Sequence, residues 1–73
     1  MADVAAHITG TVWKIQVAVG DQVENEQTLV ILESMKMEMP IEASEAGVVT
    51  ELLTEEGAAV EEGDILLRLE PGG

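Results

Sequence analysis

The chain has 73 residues, no cysteine and a formal charge of −12, with 15 carboxylates set against two lysines and one arginine. That length holds one small domain, residues 1–73, and leaves no room for both a large core and a deep catalytic cleft. The acidity excludes a surface built to neutralise nucleic-acid phosphates or to lie on an anionic membrane, and the lack of cysteine excludes disulfides and thiolate metal sites.

In chain order, Met1–His7 has no basic segment followed by an apolar run, so it does not read as a secretory signal. No apolar stretch approaches the length of a membrane span, and a cytoplasmic chain is expected. His7 stands alone, without a second histidine or a cysteine to share a metal. The run from Trp13 to Val19 alternates in period two, which predicts a strand with Trp13, Ile15, Val17 and Val19 on one face. Core or edge packing is expected for Trp13. If Val12 and Ile15 are both core the parity slips, and a bulge or strong twist near Gly10 would absorb the slip. Gly20-Asp21 is a turn signal, and Val30 and Leu32 share a face of the next strand. Further turn signals are Gly57 and Glu62-Gly63-Asp64. Ile65, Leu67 and Leu69 share a face of the last strand, and Pro71-Gly72-Gly73 closes the order.

An internal repeat organises these pieces. Residues 4–33 lie over residues 41–70 without a gap: Val4 meets Ile41, Gly10 meets Gly47, Val12 meets Val49, Gly20 meets Gly57, Val23 meets Val60, and Leu32 meets Leu69. Glycines and apolar residues match while polar residues drift, which is the pattern of one backbone path used twice. No segment sustains a capped 3.6-residue period, so helix is not expected. The expected fold is all-β: two antiparallel four-strand halves related by a pseudo-two-fold axis, packed face to face as a small sandwich or flattened barrel.

The repeat leaves one connector, Ser34-Met35-Lys36-Met37-Glu38-Met39-Pro40, between strands expected to end at Glu33 and resume near Ile41. Turn tips favour glycine, asparagine, aspartate or proline, yet Met35-Lys36-Met37 occupies the expected tip. A local rule broken at the seam between repeats marks a functional position. Lys36 has no repeat partner, whereas Lys14 lies opposite Glu51 and reads as a solvated charge. The bland reading of Lys36 is a charge that discourages edge aggregation. Strand neighbours point to opposite faces, so at least one of Met35 and Met37 is expected to be exposed. A tight hairpin requires positive φ at residue 36 or 37. No catalytic triad, phosphate-binding glycine loop or metal cluster accompanies this lysine.

Glu33-Ser34-Met35-Lys36-Met37-Glu38 resembles the biotinylation motif of biotin carboxyl carrier domains. The likeness extends over nearly the whole chain, through Gly10-Thr11-Val12-Trp13, Gly20-Asp21-Gln22-Val23 and Glu62-Gly63-Asp64, and is greatest to the small free-standing biotin/lipoyl attachment proteins. The resemblance implies a flattened eight-strand antiparallel barrel with the lysine on an exposed hairpin. It implies that a biotin protein ligase joins biotin to Lys36 as an amide, with Met35 and Met37 recognised on either side. It also implies that a biotin carboxylase loads a carboxyl group that a carboxyltransferase removes, so that the chain is a carrier and not an enzyme. A lipoyl carrier, with lipoate on the same lysine, or a dual acceptor of biotin and lipoate, is the alternative. Such domains usually present Asp-Lys-Ala, so Met-Lys-Met favours biotin. An unmodified partner-binding β-domain is a third reading. The chain departs from the family at Ser34, where alanine is common, and at Glu26, where glycine is usual. Asn25 is expected to supply the left-handed residue of that turn. No insertion is present to form the protruding loop of some biotin carriers, so a bare barrel is expected.

Overall fold

The computed structural model describes residues 2–71; Met1 and the closing Gly72-Gly73 lie outside the described residues. Eight strands follow in order: β1 (Ala2–Ala5), β2 (Gly10–Ile15), β3 (Gln22–Val23), β4 (Thr28–Ser34), β5 (Met37–Glu42), β6 (Gly47–Leu52), β7 (Ala59–Val60) and β8 (Ile65–Pro71). All pairings are antiparallel, and the described residues contain no helix. The two sheets have the orders β1-β8-β6-β3 and β5-β4-β2-β7.

The repeat is written into the backbone hydrogen bonds. Gly20 N donates to Val49 O at 2.8 Å, and its repeat partner Gly57 N donates to Val12 O at 2.7 Å. Ala6 N donates to Asp64 O at 2.9 Å, and Ala43 N to Gln27 O at 2.9 Å. Each of these bonds crosses from one half of the chain to the other. The halves therefore do not pack face to face as separate sheets. Each sheet takes two strands from β1–β4 and two from β5–β8. Within each half only β2–β4 and β6–β8 pair, while β1, β3, β5 and β7 each pair with a strand of the other half.

The core is the repeated apolar set. Val4, Val12, Val23, Leu29, Val30 and Leu32 from the first half meet Ile41, Val49, Val60, Leu66, Leu67 and Leu69 from the second, all buried. Burying side chains of this size contributes about 1.5–3 kcal/mol each, and in this chain that burial is the main stabilising term.

Strand faces differ from simple alternation at the bulges. β2 ends at Ile15, and Trp13 and Val19 are 42% and 58% exposed, so the predicted strand Trp13–Val19 with one inward face is corrected. The slip in parity sits between Val12 and Lys14, not at Gly10. There Trp13 and Lys14 together oppose Ile31, which turns both outward and lets Val12 and Ile15 both point in. The expected core or edge packing of Trp13 is replaced by the outer face. A different slip, between Val4 and Ala5, leaves Leu66 extra in β8. Leu66 joins Leu67 and Leu69 in the core, and Ile65 is only half-buried.

Gly10 explains why the strand entering the hairpin sheet begins with glycine. A Cβ there would lie 2.6 Å from the carbonyl oxygen of Glu33, and one at Gly47 would lie 2.6 Å from that of Glu70. The other repeated feature of the path is a left-handed residue before β4 and β8. In the second half this is Gly63, with φ 95°; in the first it is Glu26, with φ 69°. Asn25 does not supply it. The position is fixed by a cross-half bond, Glu26 N to Ala43 O at 2.8 Å, which Gly63 N repeats to Ala6 O at 2.8 Å.

No connection between described strands is longer than residues 16–21 or 53–58, so the barrel is bare.

Candidate functional site

The β4–β5 ladder runs from Thr28↔Glu42 to Ser34↔Met37, leaving only Met35 and Lys36 as the turn. The seven-residue connector 34–40 expected from the repeat is thus mostly strand, and Met37 is the first residue of β5 and not part of the tip. Met35 has φ 51° and Lys36 φ 67°, the signs of a type I′ turn. The expectation of positive φ at residue 36 or 37 holds at Lys36, and the second such residue precedes it. Two-residue turns of this hand match the twist of the strands, which is why the ladder can continue up to the turn. Their cost falls on the side chains, roughly 1–2 kcal/mol for each residue with a Cβ. Asparagine and glycine would relieve it. A methionine and a lysine held there are strain without local benefit, and such strain points to a role for the side chains.

The side chains are presented outward. Met35 is 92% exposed and Met37 62%, and Lys36 is exposed between them. Both methionines are therefore surface, where one was required. Among the described residues no hydrogen bond or ion pair holds the Lys36 ammonium. The ladder fixes the address while the lysine stem stands exposed beyond it. Glu33 and Glu38 face each other across the ladder just below the tip, both exposed. This opposition of like charges is destabilising in a sheet. It follows by counting outward from a turn at 35–36, and a longer connector hid it.

Other candidates lie away from the tip. Lys14 is on the outer face of β2, with Nζ 5.8 Å from the centre of the Trp13 ring. His7 is exposed between β1 and β2, and no cluster of metal-ligating side chains occurs among the described residues. A concavity lined by Leu52, Leu53, Ala58, Val60 and Ile65 includes no residue of the hairpin. The residues at the tip fit a covalently attached group: a reachable primary amine on a fixed turn, with no cavity needed to retain it.

The comparisons with known proteins agree with this geometry. The family model described as "Biotin-requiring enzyme" matches residues 1–69. The chain belongs to the biotin/lipoyl attachment family. This attachment domain is 50% identical over 66 residues to the "Biotin/lipoyl attachment protein" of Bacillus subtilis, covering 90% of each chain. It is 41% identical over 64 residues to the "Biotinylated protein TB7.3 homolog" of Mycobacterium leprae, covering 88% of this chain and 90% of the relative. The attachment domain also superposes on the crystal structure of the Kluyveromyces lactis urea carboxylase with a TM-score of 0.89 at 36% identity, covering 94% of this chain and 6% of that one. The same fold thus occurs free-standing and as a small part of a large carboxylase.

Proposed function

We propose that Lys36 is the attachment residue, that biotin is the group attached, and that the chain is a mobile carrier for a biotin-dependent carboxylase. The observation that carries this reading is the strained Met35-Lys36 turn, which holds an unpaired, exposed amine at the one seam of the repeat. A biotin protein ligase activates the biotin carboxyl group with ATP, and Lys36 Nζ then attacks the activated carbonyl carbon, forming the amide as the adenylate leaves and the amine loses a proton. Only the neutral amine attacks a carbonyl carbon, so the ligase takes up the ammonium proton. Met35 and Met37 offer adaptable apolar surface on either side of the amine, suited to recognition by more than one enzyme.

Acylation removes the charge of Lys36 and leaves the carrier still more acidic. The attached biotin supplies a ring that accepts and releases a carboxyl group, loaded by a biotin carboxylase and removed by a carboxyltransferase. The chain's own contribution is the tether: a lysine stem on a rigid hairpin raises the local concentration of the ring at each docked enzyme. The carrier itself catalyses neither step.

Lipoate on Lys36 is the second reading, favoured by the name of the Bacillus subtilis relative. Intact mass of the protein purified from its native cells separates the readings. Addition of one biotinyl group on the peptide containing Lys36 is expected. A lipoyl addition would replace biotin by lipoate, and an unmodified chain in biotin-replete cells would overturn both.

A further inference from the structure

The repeat supplies an internal control for the surface. Residues related by it sit on the same backbone path, so a difference in side chains between the two outer faces is not imposed by the fold. On the β1-β8-β6-β3 sheet, one row across three strands is Glu51, Arg68 and Asp3. It is closed on itself: Arg68 Nε donates to Asp3 Oδ1 at 3.2 Å and Arg68 NH1 to Glu51 Oε1 at 3.2 Å. The corresponding row on the β5-β4-β2-β7 sheet is Lys14, Ile31 and Pro40, with the bulged Trp13 beside Lys14 where the other sheet has Thr50. The glutamate, arginine and aspartate are replaced by lysine, isoleucine and proline, Lys14 lying with Nζ 5.8 Å from the centre of the Trp13 ring, and the exposed tryptophan is on this side only.

A second contrast concerns the acids. Glu51 and Asp3 share the single charge of Arg68 within their own face. Glu33, Glu38 and Glu42, which flank Ile31 and Pro40 on β4 and β5, are exposed and take part in no ion pair among the described residues, whereas on the other face only Glu70, the repeat partner of Glu33, is left so. Tryptophan, isoleucine and proline with one lysine stacked on the tryptophan, edged by carboxylates, have the anatomy of a protein interface. The rim is negative, so its complement is positive.

We propose that this outer face, centred on Trp13, Ile31 and Pro40, docks the ligase that modifies Lys36, through an apolar patch on the ligase rimmed by lysine or arginine. The inference rests on the reading of Lys36 as the attachment residue. Reach selects the ligase over the enzymes that later meet the attached cofactor. The unmodified lysine is short, so the modifying enzyme must lie against surface beside the tip, whereas a loaded tether extends the range. Pro40 is four residues along β5 from Lys36, about 14 Å at the rise of a strand. An interface burying roughly 800 Å² a side has a radius of about 16 Å and spans that distance.

The repeat also provides the test variant. Trp13→Thr, Lys14→Glu, Ile31→Arg and Pro40→Asp, made together, transfer the Thr50–Glu51–Arg68–Asp3 set onto the hairpin face, on a backbone path that already carries it. The full chain is incubated with a purified biotin protein ligase, biotin and ATP, and modification is followed by intact mass, with circular dichroism melts as a check on folding. Loss of the tryptophan anchor and its apolar row should lower kcat/KM by about tenfold or more, through KM. Arg68→Ile, on the other face, should leave it unchanged. Raising the salt concentration should raise KM for the wild-type chain, since the rim contacts are screened. If the four-fold variant does not fold, Trp13→Thr alone, at an exposed bulge, takes its place with the same expected direction. A folded variant modified as well as wild type overturns the docking face while leaving Lys36 as the attachment residue. A wild-type chain that biotin protein ligase does not modify overturns the biotin reading, and the docking face with it.

Discussion

Glu26 and Gly63 occupy the same place in the two halves and share a left-handed backbone, φ 69° and 95°, although only one of them is a glycine. Each is pinned by an equivalent bond to the other half, from Glu26 N to Ala43 O and from Gly63 N to Ala6 O. The glutamate side chain is exposed and is held by no ion pair among the described residues.

Glu26→Gly should therefore stabilise the domain. It removes the left-handed penalty of a residue with a Cβ, offset in part by the greater freedom of glycine in the unfolded chain, for a net gain of about 1 kcal/mol. In a domain of this size that raises the melting midpoint by roughly 4–8 °C. A midpoint that falls would show that the glutamate makes a contact worth more than its strain.

The hairpin tip carries the same strain twice. Met35→Asn with Lys36→Gly installs the preferred dipeptide for this turn and should raise stability by about 1–2 kcal/mol, while removing the site of modification. The urea midpoint should rise at unchanged slope. Equal or lower stability would mean that Met35 and Lys36 pay for their backbone by contacts along the hairpin.

Gly10→Ala and Gly47→Ala should be costly to a similar degree. In both, the new Cβ would meet a carbonyl oxygen at 2.6 Å, that of Glu33 or Glu70, and backbone cannot yield as a side chain can. Overpacking of this kind costs about 1–3 kcal/mol. Urea denaturation of the two variants reads the values. A large difference between them would break the equivalence of the halves, and Gly10→Ala should in addition disturb the strand that leads to Lys36.

Lys36→Arg keeps the charge and the exposed stem, so stability should change by no more than about 0.5 kcal/mol. Its guanidinium does not deprotonate and cannot be acylated in the same way, so ligase treatment should add no mass. Lys14→Arg is the matched control and should be modified like wild type. Modification of the Lys36→Arg chain would move the attachment to another residue. Loss of its cooperative melt would make Lys36 structural.

The sequence by itself determined the elements that the repeat duplicates. Val4, Val12, Val23 and Leu32 could be matched to Ile41, Val49, Val60 and Leu69 because apolar burial and glycine geometry constrain residue type directly, and all eight are buried. Lys36 stood out because the seam is the one place where the duplication supplies no counterpart and turn chemistry is violated. What the tertiary structure decided was which strands pair and where their registers slip. Alternation says which residues share a face, but it does not say whether β3 completes its own sheet or its partner's. A bulge such as that at Trp13 changes the face of every later residue without changing composition. The exact turn was undecided for the same reason. Methionine and lysine have no intrinsic preference for positive φ, so only the β4–β5 register, locked by Leu32 and Ile41 in the core, forces Met35 and Lys36 into the tip and turns the amine toward solvent.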